Sequence, residues 1–167
     1  IIRHLNDHEI EILGEFARAE HLNFRFIEFM PLDSGRAWQK DHVVTGREIL
    51  SRLRARFDLV PADREHPAAT AKRWRFADGS AEIGLITPVS EPFCGHCNRL
   101  RLTADGKIRT CLFSLREHDI KPLLRSDAAD EVIADWLAGV VLQKEERHHI
   151  GESEFEQPDR TMSAIGG

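Results

Sequence analysis

Phe24-Arg25-Phe26-Ile27-Glu28-Phe29-Met30-Pro31 is the stretch that decides how this chain folds. It is short, rich in aromatic side chains and stopped by a proline, which predicts a buried strand. Upstream, Ile10, Leu13, Phe16 and Ala17 recur at the spacing of one helical face, predicting an amphipathic helix over about 7–20. Asn6 and Glu9 have the spacing of a capping box at its start. Helix, short loop and apolar strand make the tail of a repeating α/β unit. Ile1-Ile2-Arg3-His4-Leu5 enters that helix with no initiator methionine. The chain is therefore expected to begin partway through a larger α/β domain, with Phe24–Phe29 leaving an apolar edge where neighbouring strands would pair.

Downstream of Pro31 the pattern changes. A loop of mixed polarity, containing Asp33-Ser34-Gly35, runs to His42. Thr45 and Glu48 form a second capping box ahead of a stripe made by Ile49, Leu50, Leu53 and Phe57. That helix must end before Pro61, and residues 61–71 read as a connector. Trp74, Phe76, the Asp78-Gly79 turn and Ile83–Ile86 predict two strands. Arg99–Thr103 and Lys107–Cys111 predict a tighter hairpin around Ala104-Asp105-Gly106. Asp127 is placed to cap a last helix carrying Val132, Ile133, Trp136, Leu137 and Val140. The fold class expected is α+β, with antiparallel strands, appended to the end of an α/β unit.

Composition narrows the function. The chain has 167 residues, 41% hydrophobic and 31% charged, the profile of a soluble globular protein of one domain or slightly more. No apolar run has transmembrane length and no signal-like start occurs, so a cytoplasmic protein without a membrane partner is expected. A formal charge of −5 argues against binding nucleic acid by bulk charge. Three cysteines lie within eighteen residues of one another. An odd count argues against a disulfide framework, and in a reducing compartment clustered thiols point to metal binding or redox chemistry.

Cys94, Cys97 and Cys111 are spaced C-x2-C-x13-C. Gly95 is expected to let the first turn bring two thiolates to one metal, and the hairpin to fold Cys111 back towards them. Zinc would need a fourth ligand, from His96 or His118. A [4Fe–4S] cluster held by three cysteines would leave one iron open to water or substrate. The residues alone leave zinc and cluster level, and disfavour a metal-free thiol trio. The hairpin carries Arg99, Arg101, Lys107 and Arg109 against Asp105 alone, a local excess of +3 within an acidic chain. Arg99 and Arg101, two apart in a strand, are expected on one face, suited to forked recognition of phosphate oxygens. An arbitrary Arg-x-Arg is more often a solvated strand face. Adjacency to Cys97 favours a metal-cluster site that binds a phosphorylated small molecule.

Phe93-Cys94-Gly95-His96-Cys97-Asn98-Arg99-Leu100-Arg101, with Asp105-Gly106 and Cys111-Leu112-Phe113, closely resembles the carboxy-terminal half of the GTP 3′,8-cyclase family. These are radical S-adenosylmethionine (SAM) enzymes of molybdenum cofactor biosynthesis. Arg25–Pro31, Ile83–Ser90 and the closing Gly166-Gly167 agree as well. The resemblance implies that residues 1–31 are the last helix and strand of a partial TIM-type barrel. It implies that 32–167 form a carboxy-terminal domain binding a second [4Fe–4S] cluster and GTP. Cys94, Cys97 and Cys111 would be the cluster ligands, and Arg99, Leu100 and Arg101 the GTP-binding segment. Met30 would contact SAM. Arg25 would join the cationic pocket, its bland alternative being an ion pair at a strand edge. Gly166 and Gly167 would reach into the active site as a catalytic tail, their bland alternative being a frayed terminus.

The implied reaction starts with reductive cleavage of SAM to a 5′-deoxyadenosyl radical, which takes the 3′ hydrogen of GTP before the ribose carbon attacks C8 of guanine. Its product, (8S)-3′,8-cyclo-7,8-dihydroguanosine 5′-triphosphate, would pass to cyclic pyranopterin monophosphate synthase. The C-x3-C-x2-C motif of the SAM-cleaving cluster does not occur in this chain, so binding without turnover is expected of it alone. A homodimer is compatible with the sequence. The competing reading is a zinc-stabilised module whose basic hairpin binds an acidic partner or single-stranded nucleic acid. Only Phe93 and Phe113 flank that hairpin as stacking surfaces. His148 and His149 read as surface residues, and Trp38, Trp74 and Trp136 as packing.

Overall fold

The computed structural model describes residues 1–165, which divide into two compact units. The first comprises Ile1–Met30 with Trp38–His96, and the second Pro31–Ala37 with the chain from Cys97 onward. The expected boundary between a barrel end at 1–31 and a domain over 32–167 concerns kinship rather than compactness. Among the described residues no helix is long and apolar enough to cross a membrane.

In the first unit, helices α1 (Ile10–Ala19) and α2 (Gly46–Arg54) pack on a four-stranded sheet. Its strands are β1 (Asn23–Ile27), β2 (Leu59–Ala62), β3 (Ala71–Phe76) and β4 (Glu82–Ile86), ordered β1-β4-β3-β2. β1 runs parallel to β4 with Arg25 opposite Gly84, whereas β2, β3 and β4 are antiparallel neighbours. The core is apolar: Ile10, Ala17, Phe26, Val44, Ile49, Leu53, Phe76, Ile83 and Leu85 are all buried. Gly14 is required where the helices meet, because a Cβ there would lie 2.7 Å from Leu53 Cδ2.

Several local expectations change. Asn6 does not cap α1: its Oδ1 accepts from the Ile2 N–H at 2.7 Å, and a 3-10 turn over Asp7–Glu9 leads into the helix. β1 is shorter than the apolar run and is an edge strand, so only Phe26 of its five residues is buried. Thr45 does cap α2, its Oγ1 accepting from the Glu48 N–H at 3.2 Å, but the Glu48 carboxylate turns away to Arg3. Pro61, expected in a connector, lies in β2. The missing N–H is tolerated there because β2 is the other edge.

The second unit is built around a smaller antiparallel sheet, β5 (Arg101–Leu102), β6 (Lys107–Arg109) and β7 (His118–Asp119), in that order. The expected hairpin is present, with the Thr103 N–H donating to Lys107 O at 2.9 Å and Gly106 at φ +77° in the turn. The third strand was not expected. Helices α3 (Lys121–Leu124) and α4 (Asp130–Val141) follow. Ile108, Ile120 and Val140 form a small core, supported by Ile133, Trp136 and Leu137. Asp127 is not the α4 cap. It sits at φ +50°, and Ala129 occupies the cap position with no side-chain hydrogen bond.

Candidate functional site

Chain direction brings Cys97 and Arg99 in just ahead of β5, and β6 delivers Cys111 two residues beyond its end. Arg99 Nη2 donates to Cys97 Sγ at 3.3 Å. Burial pushes the Cys97 thiol up, but the Arg99 N–H and guanidinium, with the charge of Lys144, more than offset this. Cys97 therefore ionises more easily than an ordinary thiol. Arg101 shares the same surroundings. Burial and the charge of Arg99 lower its pKa, while Cys111 and Cys97 raise it and Arg109 lowers it again. Two thiols and a concentration of cations thus act on one another within a single unit.

The other hairpin cations are neutralised inside the unit. Lys107 Nζ lies 2.6 Å from Asp119. Arg109, only 2% exposed, donates to Glu117 at 2.6 Å and to the Ser114 carbonyl. Arg160 bridges Asp105 at 2.7 Å and Glu117 at 2.6 Å. The expected display of four cations on one hairpin is thereby corrected. Arg99 also lies outside β5, so strand alternation does not set its direction. Arg99 and Arg101 are the hairpin cations that lie beside Cys97 and Cys111. A cleft of about 510 Å³ on this unit is lined by Arg109, Arg160, Glu117, Glu156 and Asp159, whose carboxylates offset its two arginines.

Two residues that the sequence reading passed over hold this region together. Lys144 Nζ donates to the carbonyls of Arg99, at 3.1 Å, and Thr110. Glu145 accepts from the Thr110 hydroxyl at 2.6 Å. Both belong to a run, Gln143-Lys144-Glu145-Glu146-Arg147, that looks in sequence like any solvated helix exit.

Cys94 and Met30 belong to the first unit. Cys94 opens a 3-10 turn, Cys94–His96, and is half-buried. Gly95 is not needed for that turn: a Cβ there would meet nothing within 4 Å, and its φ is not left-handed. Met30 is half-buried beyond β1, where the Trp38 indole donates to the preceding carbonyl, Phe29 O, at 2.9 Å. Arg25 is exposed on β1 and lies over Gly84, where a Cβ would come within 2.8 Å of its Nη1. Glu28, another residue without an expected role, is 1% exposed and accepts from the Gly46, Val89 and Ser90 N–H groups. It pins the chain that leads towards Cys94. Leu100 is 40% exposed. Gly166 and Gly167 lie outside the described residues. None of the three cysteines is in a disulfide. Among the described residues, no three His, Cys, Asp or Glu side chains are gathered as a metal-holding group.

The sequence profile of Molybdenum Cofactor Synthesis C matches residues 22–150, and the chain belongs to that family. Its relatives include proteins named GTP 3′,8-cyclase. The chain is 43% identical over 168 residues to that of Corynebacterium glutamicum (strain R), covering 98% of this chain and 45% of the relative. It is 44% identical over 164 residues to that of Streptomyces coelicolor, covering 98% and 48%. A third, from Rhodopirellula baltica, is 43% identical over 169 residues, covering 99% and 47%. The chain spans about half the length of the curated relatives it matches. These matches bear out the resemblance read from the cysteine motif and lend nothing to the zinc-stabilised alternative.

Proposed function

We propose that this chain is the substrate- and cluster-binding portion of a GTP 3′,8-cyclase of molybdenum cofactor biosynthesis. In this reading residues 1–31 close a radical SAM barrel, and 32–167 form the carboxy-terminal domain. GTP is the substrate, and (8S)-3′,8-cyclo-7,8-dihydroguanosine 5′-triphosphate is the product passed to cyclic pyranopterin monophosphate synthase. The complete enzyme is cytoplasmic and carries SAM and a second [4Fe–4S] cluster in its other half.

The donor chemistry of this chain fits an iron–sulfur cluster on Cys94, Cys97 and Cys111. All three thiols are half-buried and outside disulfides, and Arg99 favours the thiolate of Cys97. When bound, that cluster supplies an iron with an open position that can hold the guanine base. Closing three thiolates round a metal offsets their mutual repulsion, so assembly of the donors belongs to metal loading.

Arg99 and Arg101 receive the triphosphate through charge-assisted hydrogen bonds, with Leu100 between them as part of the same segment. Arg101 is half-buried, so a phosphate meeting it is less screened by water than at a fully exposed arginine. Met30, three residues beyond β1, contacts SAM. Arg25 adds positive charge, and Gly166-Gly167 form the tail that approaches the reacting groups. The observation that carries this reading is that Arg99 donates to Cys97 Sγ while Lys144 joins the Arg99 and Thr110 carbonyls, which gathers cations at the Cys97 and Cys111 segments of one unit.

The test is anaerobic reconstitution with iron and sulfide, read by absorbance and electron paramagnetic resonance, followed by GTP titration. The expected result is a cluster whose spectrum shifts on adding GTP. Arg99→Ala and Arg101→Ala should each weaken GTP binding by about 1.5–3 kcal/mol, or tenfold and more. Stoichiometric zinc with no cluster signal would overturn the cluster assignment, and unchanged GTP affinity would overturn the role of the arginines.

A further inference from the structure

The chain that leaves α4 grips both cysteine-bearing segments of the second unit. Lys144 Nζ joins Arg99 O, two residues after Cys97, to Thr110 O, immediately before Cys111. Glu145 takes the Thr110 hydroxyl at 2.6 Å. Ser114 closes a turn on Cys111, its N–H donating to Cys111 O at 3.2 Å. Thr110 and Ser114 are 1% and 3% exposed, so these contacts are shielded from competing water. The base of the grip is firm as well. Val140, Trp136 and Leu137 anchor α4 on Ile108 of β6, the strand that leads to Cys111.

A surface lysine at a helix exit needs none of this. One ammonium satisfying two carbonyls from segments eleven residues apart, 99 and 110, sets the separation of those segments. It also presents positive charge beside thiolates without competing for the metal, since an ammonium has no lone pair. Glu145 fixes the Cys111 side, so the two neighbours act as a clamp on one loop and a tie to the other.

We propose that Lys144 and Glu145 are positioning residues that set the spacing of the Cys97 and Cys111 segments so that both thiolates meet one metal centre. The identity of that centre as an iron–sulfur cluster rests on the function proposed above, whereas the spacing role does not. The probe is cobalt(II), added anaerobically to the whole chain, whose thiolate charge-transfer absorption reports how many cysteines bind. Iron and sulfide reconstitution is run in parallel. Lys144→Met should weaken cobalt(II) binding at least tenfold and reduce the charge-transfer intensity. Lys144→Arg, which can still reach two carbonyls, should restore most of both. Glu145→Gln keeps the shape, serves where Lys144→Met fails to fold, and should shift the cobalt spectrum less. Wild-type affinity and intensity in folded Lys144→Met would overturn the proposal. So would equal losses in Lys144→Met and Lys144→Arg that track their thermal midpoints, since that is a purely structural effect. A wild-type chain that binds cobalt through its thiolates but takes up no cluster would overturn the cluster assignment and leave the clamp standing.

Discussion

The two units achieve order by different means. In the first, helices α1 and α2 close over a mixed sheet, and its centre is apolar from Ile10 to Leu85. In the second, apolar burial is scattered, with Ile108, Ile120 and Val140 in one cluster and Phe113, Ile150 and Ile165 buried elsewhere, and an ion pair is carried into the interior by the buried Arg109. Arg109, Glu117, Arg160 and Asp105 form a continuous chain of charge, and Lys144 and Glu145 tie the cysteine segments. Apolar burial is non-directional and tolerates many arrangements, whereas a charge network holds only in the geometry that satisfies it. A unit held by such contacts suits a site whose segments must be spaced for a ligand.

The largest test of this contrast is Leu53→Ala. Leu53 is fully buried and packs against Gly14 and Phe57. Its truncation should cost about 2–5 kcal/mol, since the lost burial is compounded by a cavity. Trp74 lies against the first core and Trp136 against the second, so variants keeping one tryptophan report each unit separately. Denaturant unfolding read by Trp74 should shift strongly, and that read by Trp136 little. Equal shifts would break the comparison.

Acid should act the other way. Burial pushes the Glu117 carboxyl up, but Arg160 and Arg109 more than offset this and hold it below the usual range. A carboxylate with a depressed folded pKa contributes stability that is complete above its unfolded value, about 4.3, and lost as pH falls through the folded value. Protonating Glu117 also leaves Arg109, 2% exposed, as a buried cation without its partner. In the first unit Glu11, Glu48, Glu82 and Glu91 are also held low by cations, but those partners, Arg52, Arg3, Arg73 and Lys72, keep 20–40% side-chain exposure, so protonating a carboxylate strands none of them in the interior. Between pH 7 and about 3.5 the Trp136 transition should therefore lose a larger fraction of its stability than the Trp74 transition. A first unit that fails earlier would reverse the assignment of apolar and ionic control.

The same contrast explains what could be read from the sequence. The β3–β4 hairpin was legible because alternation and Asp78-Gly79 are local signals, and Gly79 does adopt φ +73°. The cysteine spacing and Arg99-x-Arg101 were legible as chemistry for the same reason. β7 was not, because His118-Asp119 carries no strand propensity and pairs through β6, with Asp119 meeting Lys107. Asn6 had the right spacing for a cap, yet the Ile2 N–H claims its side chain. Lys144 was invisible because its importance lies in two carbonyls far away in sequence. Long-range polar contacts leave no periodic trace.

The smallest effect probes a capping difference between the units. Thr45 caps α2, whereas α4 starts at Ala129 with no side-chain acceptor. Ala129 is exposed at φ −64°, ψ 151°, the extended geometry an N-cap residue needs, and its carbonyl already accepts from Val132 and Ile133. Ala129→Ser should therefore supply the missing acceptor and stabilise the second unit by about 1 kcal/mol, raising the Trp136 transition alone. Had Asp127 been the cap, position 129 would lie inside the first turn. Serine there would replace the best helix former and cost about 0.5 kcal/mol instead. The sign of the change thus decides where α4 begins, and with it how firmly the helix that leads to Lys144 is anchored at its far end.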